Sequence, residues 1–422
     1  MSSFRFLHAA DIHLDSPLRG LDLGDSAIAE QVRAAPRAAF RSLVRYAIEE
    51  RVDFVVIAGD LYDGDWPDMG TGLFFVEQMG RLNEAGIPAL VLHGNHDAQS
   101  VITRRLTLPP NVRVFSSRRA ETFALEDLGV FLHGRSFPNR AVPENLVPAY
   151  PDPRENAFNI GVLHTSLAGH EYHDTYAPCS IEDLMAKGYD YWALGHIHER
   201  RIVDGPPWIA YPGNLQGRHP RETGPKGAYV VSVADGAAGK PEPVNFDQVR
   251  WEVVSVSAQD LPTIEDILDA VRDRIAEAQE RSGRRALVCR VQVAGRTPAH
   301  PELVADPERL LNETRAVAAG LGGEPVAVER VVVSTSAPED PDTMRAREDA
   351  VGELLGLIGS ADVRAGDLRD ALDSTMGVFA NRLPASLAAA EDPALRALVE
   401  RDWAGLVRAV RPYLEARARQ QS

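Results

Sequence analysis

Short apolar runs, each bounded by Gly, Pro or Asp, recur over the first half of the chain and predict buried strands. The runs are FRFLHAADIH, DFVVIAGD, IPALVLHGNHD, GVFLHGRSF, FNIGVLHTS, DYWALGHIH, PWIAYPGN and GAYVVSVA. Helical patterns lie between the early runs, at 26–51 and 70–85. Because these strands are apolar throughout, both of their faces should be buried, so the pattern predicts an α/β sandwich with helices outside.

A second pattern begins after 233–245 (VADGAAGKPEPVN), a Gly-, Pro- and Ala-rich stretch that indicates a domain boundary. Three further runs, WEVVSVSA, RALVCRVQVAG and PVAVERVVVSTS, predict strands separated by two helices. The first of these helices carries one apolar stripe, formed by Ile264, Ile267, Leu268, Val271 and Ile275. This stretch predicts a small α+β module at 246–337, either a capping domain or an accessory domain held by packing alone.

The remaining tail contains helical patterns only. After a break at 336–342 (SAPEDPD), helices are predicted at 343–358, 366–382 and 393–419, and Pro412 should kink the last one. Apolar residues at helical spacing, with Trp403 among them, favour either core packing or a docking face: Leu395, Leu398, Val399, Leu406, Val407 and Val410. The chain therefore divides into a predicted catalytic domain at 1–240, the module at 246–337 and a helical region at 342–422.

Composition narrows the class of protein. A chain of 422 residues exceeds what one hydrophobic core usually serves, and 44% hydrophobic with 25% charged residues is typical of a globular protein. We find no apolar run long enough for a bilayer and no secretory signal in MSSFRFLHAADIH. With only Cys179 and Cys289, far apart, the sequence favours the reducing cytoplasm and no membrane.

The net charge of −16 argues against a protein that coats nucleic acid through overall basicity. Arginines nevertheless cluster in TRRL, SSRR, ERR and GRHPRE, as local phosphate contacts or as solvated surface residues. The candidates for substrate binding are Arg200, Arg218 and Arg221.

Five stretches place metal-type ligands where an apolar run ends. They are ADIH (Asp11, His13), AGDLYD (Asp60), HGNHD (Asn95, His96, Asp97), VLHTS (His164) and LGHIH (His196, His198). Ligand sites of open α/β sheets lie beyond the carboxyl ends of strands, so all five can converge on one crevice. A single histidine after a strand is more often a hydrogen-bonded structural residue, but five such stretches in order indicate a site.

Imidazole, carboxylate and amide ligands without a thiolate favour manganese, iron or zinc over calcium or magnesium. The set suffices for two ions, with Asp11, His13 and His198 on one, Asn95, His164 and His196 on the other, and Asp60 between them. A carboxylate between two cations about 3.5–4 Å apart is an arrangement used for phosphoryl transfer.

The order D-x-H, G-D-x-x-D, G-N-H-D, H and G-H-x-H resembles the metallophosphoesterase superfamily, the calcineurin-like phosphoesterases, over residues 5–215. Within it, HAADIHLDSPLRGL, YAPCSIEDLMAKGYDYWALGHIHER and YPGNLQGRHPRE resemble the DNA repair exonuclease branch, the SbcD-type nucleases and their YhaO-like relatives. One departure is Asn214, where that branch more often has Ser.

The resemblance implies a four-layer α/β/β/α core with a dimetal centre, usually manganese. Asp60 would bridge, Asp11, His13 and His198 would hold one ion, and Asn95, His164 and His196 the other. His96 would face the scissile phosphate and donate a proton to the leaving oxygen, with Asp97 orienting its ring. Gly94 would let the backbone turn close to the metals.

The resulting hypothesis is a metal-dependent phosphodiesterase that acts on DNA, in which a hydroxide held by the cations attacks the phosphorus in line. Two alternatives are an enzyme for nucleotides or other small phosphate esters, and a scaffold for a partner ATPase. The resemblance also implies a capping module that positions DNA, C-terminal helices that engage an SMC-like coiled-coil ATPase, and a homodimer.

Overall fold

The structure is a computed structural model that describes residues 3–16, 27–64, 69–99, 106–167, 176–338, 350–361, 363, 366–383 and 392–420. The chain folds into two compact units. The first consists of residues 1–252 with 282–288, and the second of residues 253–281 with 289–422.

The first unit alternates strands and helices early and is mostly strands later. Its elements are β1 (Phe4–Ala9), α1 (Ala27–Glu49), β2 (Phe54–Ala58), α2 (Gly70–Glu84), β3 (Ala89–Leu92), β4 (Val112–Val114), β5 (Glu121–Leu125), β6 (Val130–Gly134), β7 (Phe158–His164), α3 (Ile181–Ala186), β8 (Tyr191–Gly195), β9 (Arg201–Val203), β10 (Trp208–Tyr211), β11 (Gly227–Ala234), β12 (Ala237–Ala238) and β13 (Glu242–Asn245).

These strands form two sheets. The first has the order β12-β11-β1-β2-β3-β4, with β13 also paired to β11, and the second has the order β5-β6-β7-β8-β10-β9. In the first sheet β1 to β4 run parallel, and β11 lies antiparallel to β1. In the second, β6, β7, β8 and β10 run parallel. The carboxyl ends of the parallel strands within each sheet therefore share one edge.

Strand alternation explains the layering. In β2, Phe54, Val56 and Ala58 face a core shared with the second sheet, whereas Val55 and Ile57 face the core under the helices. Successive side chains of a strand point to opposite faces, so an apolar strand serves both cores. On the other side, Trp192 and Leu194 of β8 pack with Leu184 of α3. The predicted α/β/β/α sandwich is confirmed.

Five strands were not predicted from the sequence: β4, β5, β9, β12 and β13. The 233–245 segment, interpreted as a boundary from its Gly, Pro and Ala content, holds β12 and β13, which hydrogen-bond to β11. Short strands paired at an edge need little apolar character, so composition alone did not distinguish them from a linker. The division of the chain at 240, 246, 337 and 342 remains a prediction.

The second unit contains most of a three-stranded sheet, ordered β14 (Val249–Ser257), β15 (Ala286–Arg296) and β16 (Val326–Ser336). Its helices are α4 (Ile264–Ser282), α5 (His300–Ala305) and α6 (Pro307–Ala319). The apolar stripe predicted for α4 is buried at Ile267, Val271 and Ile275. The second helix of this region is divided in two, because Asp306 lies between α5 and α6 and caps α6 with its side chain.

The tail is helical in its described parts, with α7 (Ala350–Ser360), α8 (Gly366–Ala380), α9 (Pro393–Glu400) and α10 (Trp403–Gln420). The part of the first predicted tail helix at 343–349 lies outside the described residues. The single helix predicted at 393–419 is wrong: Arg401 adopts φ +56° and ends α9, and α10 begins at Trp403. Leu398, Trp403 and Leu406 are buried in one cluster, which supports core packing.

None of the helices in the described ranges combines the length and apolar character that a membrane crossing requires.

Candidate metal centre

The predicted ligands lie where strands of the two sheets end. Asp11 and His13 follow β1, Asp60 follows β2, and Asn95 follows β3 in the first sheet. His164 is the last residue of β7, and His196 and His198 follow β8 in the second sheet. The structure brings all seven together, as expected for side chains at the carboxyl ends of neighbouring parallel strands.

An unusual backbone supports this arrangement. Asp11, His13 and Asp60 adopt φ near +50°, and His196 adopts φ +101°. Non-glycine residues rarely populate this region, and such strain is concentrated at functional sites. Two backbone hydrogen bonds hold the strained loops side by side, since Asp11 N donates to Gly59 O and His13 N donates to Asp60 O, both at 3.0 Å.

Gly94 permits the close approach expected of the GNHD turn. A Cβ atom at this position would collide with Asp60 Oδ1 and lie only 2.8 Å from His164 Nε2. Any side chain at Gly94 would therefore displace two candidate ligands.

The donor atoms form overlapping groups. The ligand atoms of Asp11, His13 and His198 lie within 4.8 Å of one another, as do those of His13, Asp60 and His96 and those of Asp60, His164 and His196. Asp60 Oδ2 lies 3.8 Å from His13 Nε2 and 3.4 Å from His164 Nε2, so it faces both groups.

Buried polar atoms that point at one another fit bound cations. His13 Nε2 and His198 Nε2 face each other at 3.3 Å, and His164 Nε2 lies 3.0 Å from Asn95 Oδ1. The site offers imidazole nitrogens together with carboxylate and amide oxygens, which are ligands that divalent transition metals bind in proteins. The residues therefore fit two divalent metal ions.

The charge at the centre is balanced locally. Burial alone would favour a neutral Asp60 carboxyl, but the neighbouring His164, His13 and His96 outweigh it and lower the pKa of Asp60 below its ordinary value. Burial also opposes a charged imidazole at His164, yet the adjacent Asp60 raises the pKa of His164 to about 9. Without a cation each group thus stabilises the charged form of the other, and a metal ion would replace the proton on His164 Nε2.

His96 lies at the rim of this cluster, with its side chain 33% exposed. Its backbone N–H donates to Asp60 Oδ1 at 3.0 Å, and its ring lies 5.0 Å from the ring of His13. Burial lowers its pKa, but the hydrogen bond and charge of Asp63, together with Asp60, raise the net pKa above its ordinary value. This position suits proton donation at the edge of the cluster.

The contacts of Asp97 differ from the predicted one with the His96 ring. Its carboxylate accepts backbone N–H groups of Leu61 at 3.1 Å, Tyr62 at 2.8 Å and Gly94 at 2.9 Å. It therefore fastens the loop after β2 to the GNHD turn. Asp63 contacts the ring instead, with its Oδ1 2.6 Å from His96 Nδ1. The second aspartate of the G-D-x-x-D motif was the sequence signal for this contact.

The three candidate arginines have different surroundings. Arg200 donates to Asn245 Oδ1 at 2.8 Å and to Val244 O at 3.0 Å, so contacts within the protein engage its guanidinium. Arg221 is exposed. Arg218 lies beside the metal centre, 3.5 Å from Asp63 Oδ2, and donates to Ser16 Oγ at 3.0 Å. The cluster at Arg104 and Arg105 lies outside the described residues.

Sequence reasoning missed Glu222, whose Oε1 lies 2.7 Å from His198 Nδ1. Asn214, the departure from the SbcD-type pattern, donates from Nδ2 to Glu222 Oε2 at 2.9 Å and thus belongs to the same loop network. The GRHPRE stretch was singled out for its arginines, and nothing in its spacing marked the glutamate.

A cluster of histidine and aspartate ligands on strained loops at strand ends is typical of dimetal phosphoesterases. Sequence comparison points to the same class of protein. The calcineurin-like phosphoesterase family matches residues 4–200, and the middle domain of metallophosphoesterase YhaO matches residues 251–336. The chain belongs to the calcineurin-like metallophosphoesterase family.

Individual relatives show which members of this family the chain resembles in sequence. The uncharacterized metallophosphoesterase YhaO of Bacillus subtilis is 35% identical, over 67% of this chain and 70% of the relative. The DNA double-strand break repair protein Mre11 of Sulfurisphaera tokodaii is 26% identical, over 62% of this chain and 67% of the relative. Mre11 of Methanopyrus kandleri is 27% identical, over 71% of this chain and 66% of the relative. The chain is thus similar to a YhaO metallophosphoesterase and to Mre11 proteins of DNA double-strand break repair.

Proposed function

We propose that the protein is a two-metal phosphodiesterase that hydrolyses DNA. The observation that carries the proposal is the cluster around Asp60, in which six other nitrogen and oxygen donors from two sheets surround one buried carboxylate. Similarity to proteins described as Mre11 of DNA double-strand break repair supports DNA as the substrate.

In this proposal Asp11, His13, Asp60 and His198 would hold one ion, and Asp60, Asn95, His164 and His196 would hold the other. Two divalent cations, which we propose to be manganese with iron or zinc as alternatives, would supply Lewis acidity at the phosphoryl oxygen and a nucleophile from water. The residues contribute preorganised positions, because their loops are fixed by backbone hydrogen bonds before substrate arrives.

His96 donates a proton to the departing oxygen. Its partially exposed ring at the rim can meet a substrate, and Nδ1 is engaged with Asp63, so Nε2 is the atom left to face the substrate. Because a carboxylate accepts the Nδ1 hydrogen, Asp63 fixes the orientation of the ring and stabilises its charged form. Asp63 therefore takes the positioning role first assigned to Asp97.

Arg218 is the arginine that we retain near the substrate phosphate, since it lies beside Asp63 at the rim. We also propose that the protein acts in the cytoplasm and forms a homodimer. For the SMC-like ATPase partner, support comes from apolar side chains of the tail helices that remain exposed, Leu357 at 65% and Phe379 at 52%.

The decisive assay incubates manganese-loaded protein with end-labelled duplex DNA, single-stranded DNA and a small aromatic phosphodiester. We expect DNA degradation by the wild type and almost none by Asp60→Asn, which keeps the size of the side chain but removes the shared charge. Cleavage of the small diester alone would replace the DNA proposal with the small-ester alternative. No cleavage of any substrate by metal-loaded protein would favour the scaffold.

A further inference from the structure

Glu222 uses both carboxylate oxygens within one loop. Oε1 lies 2.7 Å from His198 Nδ1 and 3.4 Å from Arg218 Nη2. Oε2 accepts the Asn214 side-chain amide at 2.9 Å and the Arg218 backbone N–H at 2.7 Å. Its side chain is only 14% exposed, so the position of this carboxylate is fixed by four contacts rather than by solvent.

This contact determines which nitrogen of His198 faces the metal centre. An ionised carboxylate can only accept hydrogen bonds, so Nδ1 of His198 carries the hydrogen. The lone pair then lies on Nε2, which faces His13 Nε2 at 3.3 Å and Asp11 Oδ1 at 3.8 Å. Glu222 thus holds both the tautomer and the ring orientation that metal binding requires.

The backbone of His198 is held as well. Lys226, itself buried, donates from Nζ to His198 O at 2.8 Å. With the ring fixed by Glu222 and the carbonyl fixed by Lys226, His198 is restrained at both ends although its side chain is 29% exposed.

His164, in the other ligand group, has a different partner. Its Nδ1 donates to the backbone carbonyl of Ala58 at 3.0 Å, and no substitution of a side chain removes that acceptor. Both partners fix the orientation of a histidine ring, but only the carboxylate of Glu222 can be removed by substitution. Changing Glu222 should therefore affect one ligand group and not the other.

We propose that Glu222 is a positioning residue that sets the affinity for the metal ion held by Asp11, His13 and His198. The inference rests on the proposed two-metal site. Loss of such a histidine partner typically costs 10–100-fold in metal affinity.

Glu222→Gln is the sharpest variant. Glutamine matches the shape of glutamate but has only one acceptor oxygen. In one orientation its amide N–H group faces the donors His198 Nδ1 and Arg218 Nη2. In the other it faces Asn214 Nδ2 and the Arg218 backbone N–H. Glu222→Asp keeps both acceptors on a shorter side chain. Glu182→Gln, at an exposed glutamate of α3, is the matched control.

The test titrates metal-free protein with Mn²⁺ and follows the free ion by electron paramagnetic resonance, with the melting temperature of each metal-free variant as a folding check. We expect two bound equivalents in the wild type and in Glu182→Gln. In Glu222→Gln one equivalent should weaken 10–100-fold while the other keeps its affinity, and Glu222→Asp should retain more affinity than Glu222→Gln.

Wild-type affinity for both ions in Glu222→Gln would overturn the inference. Equal weakening of both ions, or equal loss in the glutamine and aspartate variants, would overturn it too, because either result would indicate general packing. Failure of the wild-type protein to bind manganese would instead contradict the proposed function.

Discussion

The two units of the chain bury different kinds of side chain. In the first unit Asp11, His13, Asp60 and His164 are each at most 2% exposed. In the second, among the residues that the structure describes, the buried polar side chains are Thr297 and Thr314. Its charged residues pair with one another: Arg274 and Glu277 are both about half exposed, and Arg290 and Glu329 form a partly buried pair.

This difference separates a region that buries ionisable side chains from one that buries mainly apolar side chains. Burying an ionisable group without a partner costs several kcal/mol, so a cluster of buried histidines and aspartates persists only where partners or metal ions compensate. Half-exposed ion pairs contribute little to the free energy of folding. The first unit therefore has the features of an active site, whereas the described residues buried in the second unit are mainly apolar.

Among the predictions that follow from comparing the two units, the largest change is expected in the hydrolysis rate on substitution of His96. Because the ring lies at the rim and is not among the proposed ligands, His96→Ala should slow hydrolysis by 10²–10⁴-fold while two metal ions still bind. Steady-state rates and manganese stoichiometry, measured on the same preparation, test both parts.

A histidine of the second unit provides the control. His300 hydrogen-bonds to Thr335 in that unit, and His300→Ala should leave the hydrolysis rate unchanged. Equal rates for His96→Ala and the wild type would rule out the proton-donor role.

A packing defect in the second unit should affect stability and not metal binding. Ile275 of α4 is fully buried, so Ile275→Ala should lower the free energy of unfolding by about 2–5 kcal/mol. Urea unfolding measures the loss, and the manganese titration at low urea should match the wild type. Loss of bound metal in the folded variant would show that the two units do not differ as described.

Acid should destabilise the first unit through His8. Burial lowers the pKa of His8 to about 3, whereas the unfolded chain has a histidine pKa near 6.5. Between these values the unfolded state binds the proton and the folded state does not, so stability falls as the pH decreases below 6.5. From pH 7 to pH 5 this contributes a loss of about 2 kcal/mol.

His8→Gln isolates that contribution. Its urea midpoint should change less between pH 7 and pH 5 than that of the wild type, because the variant has no proton to take up at this position. Identical pH dependence of the two proteins would refute the effect assigned to His8.

The fold and the candidate ligands could be predicted from the sequence because both leave local signals. Apolar runs such as FVVIA mark strands buried on two faces, and Asp60 or His164 directly after such a run marks a strand end. The chemistry of the ligands then restricts the choice of metal. These inferences need only the spacing of residues along a strand and the parallel arrangement of neighbouring strands.

Contacts between distant loops left no such signal. Glu222 follows His198 by 24 positions, and only the folded loop brings its carboxylate to the ring. The partner of His96 was misassigned because Asp97 is adjacent in sequence, while the carboxylate that is adjacent in space belongs to Asp63. The break at Arg401 was missed because a non-glycine residue takes a left-handed conformation there.

The most direct measurement of the central claim is anomalous diffraction from crystals of the protein soaked in manganese. The account predicts two manganese peaks about 3.5–4 Å apart. The Asp60 carboxylate should lie between them, with His198 on one and His164 on the other. A single peak, or no peak among these side chains, would contradict the account.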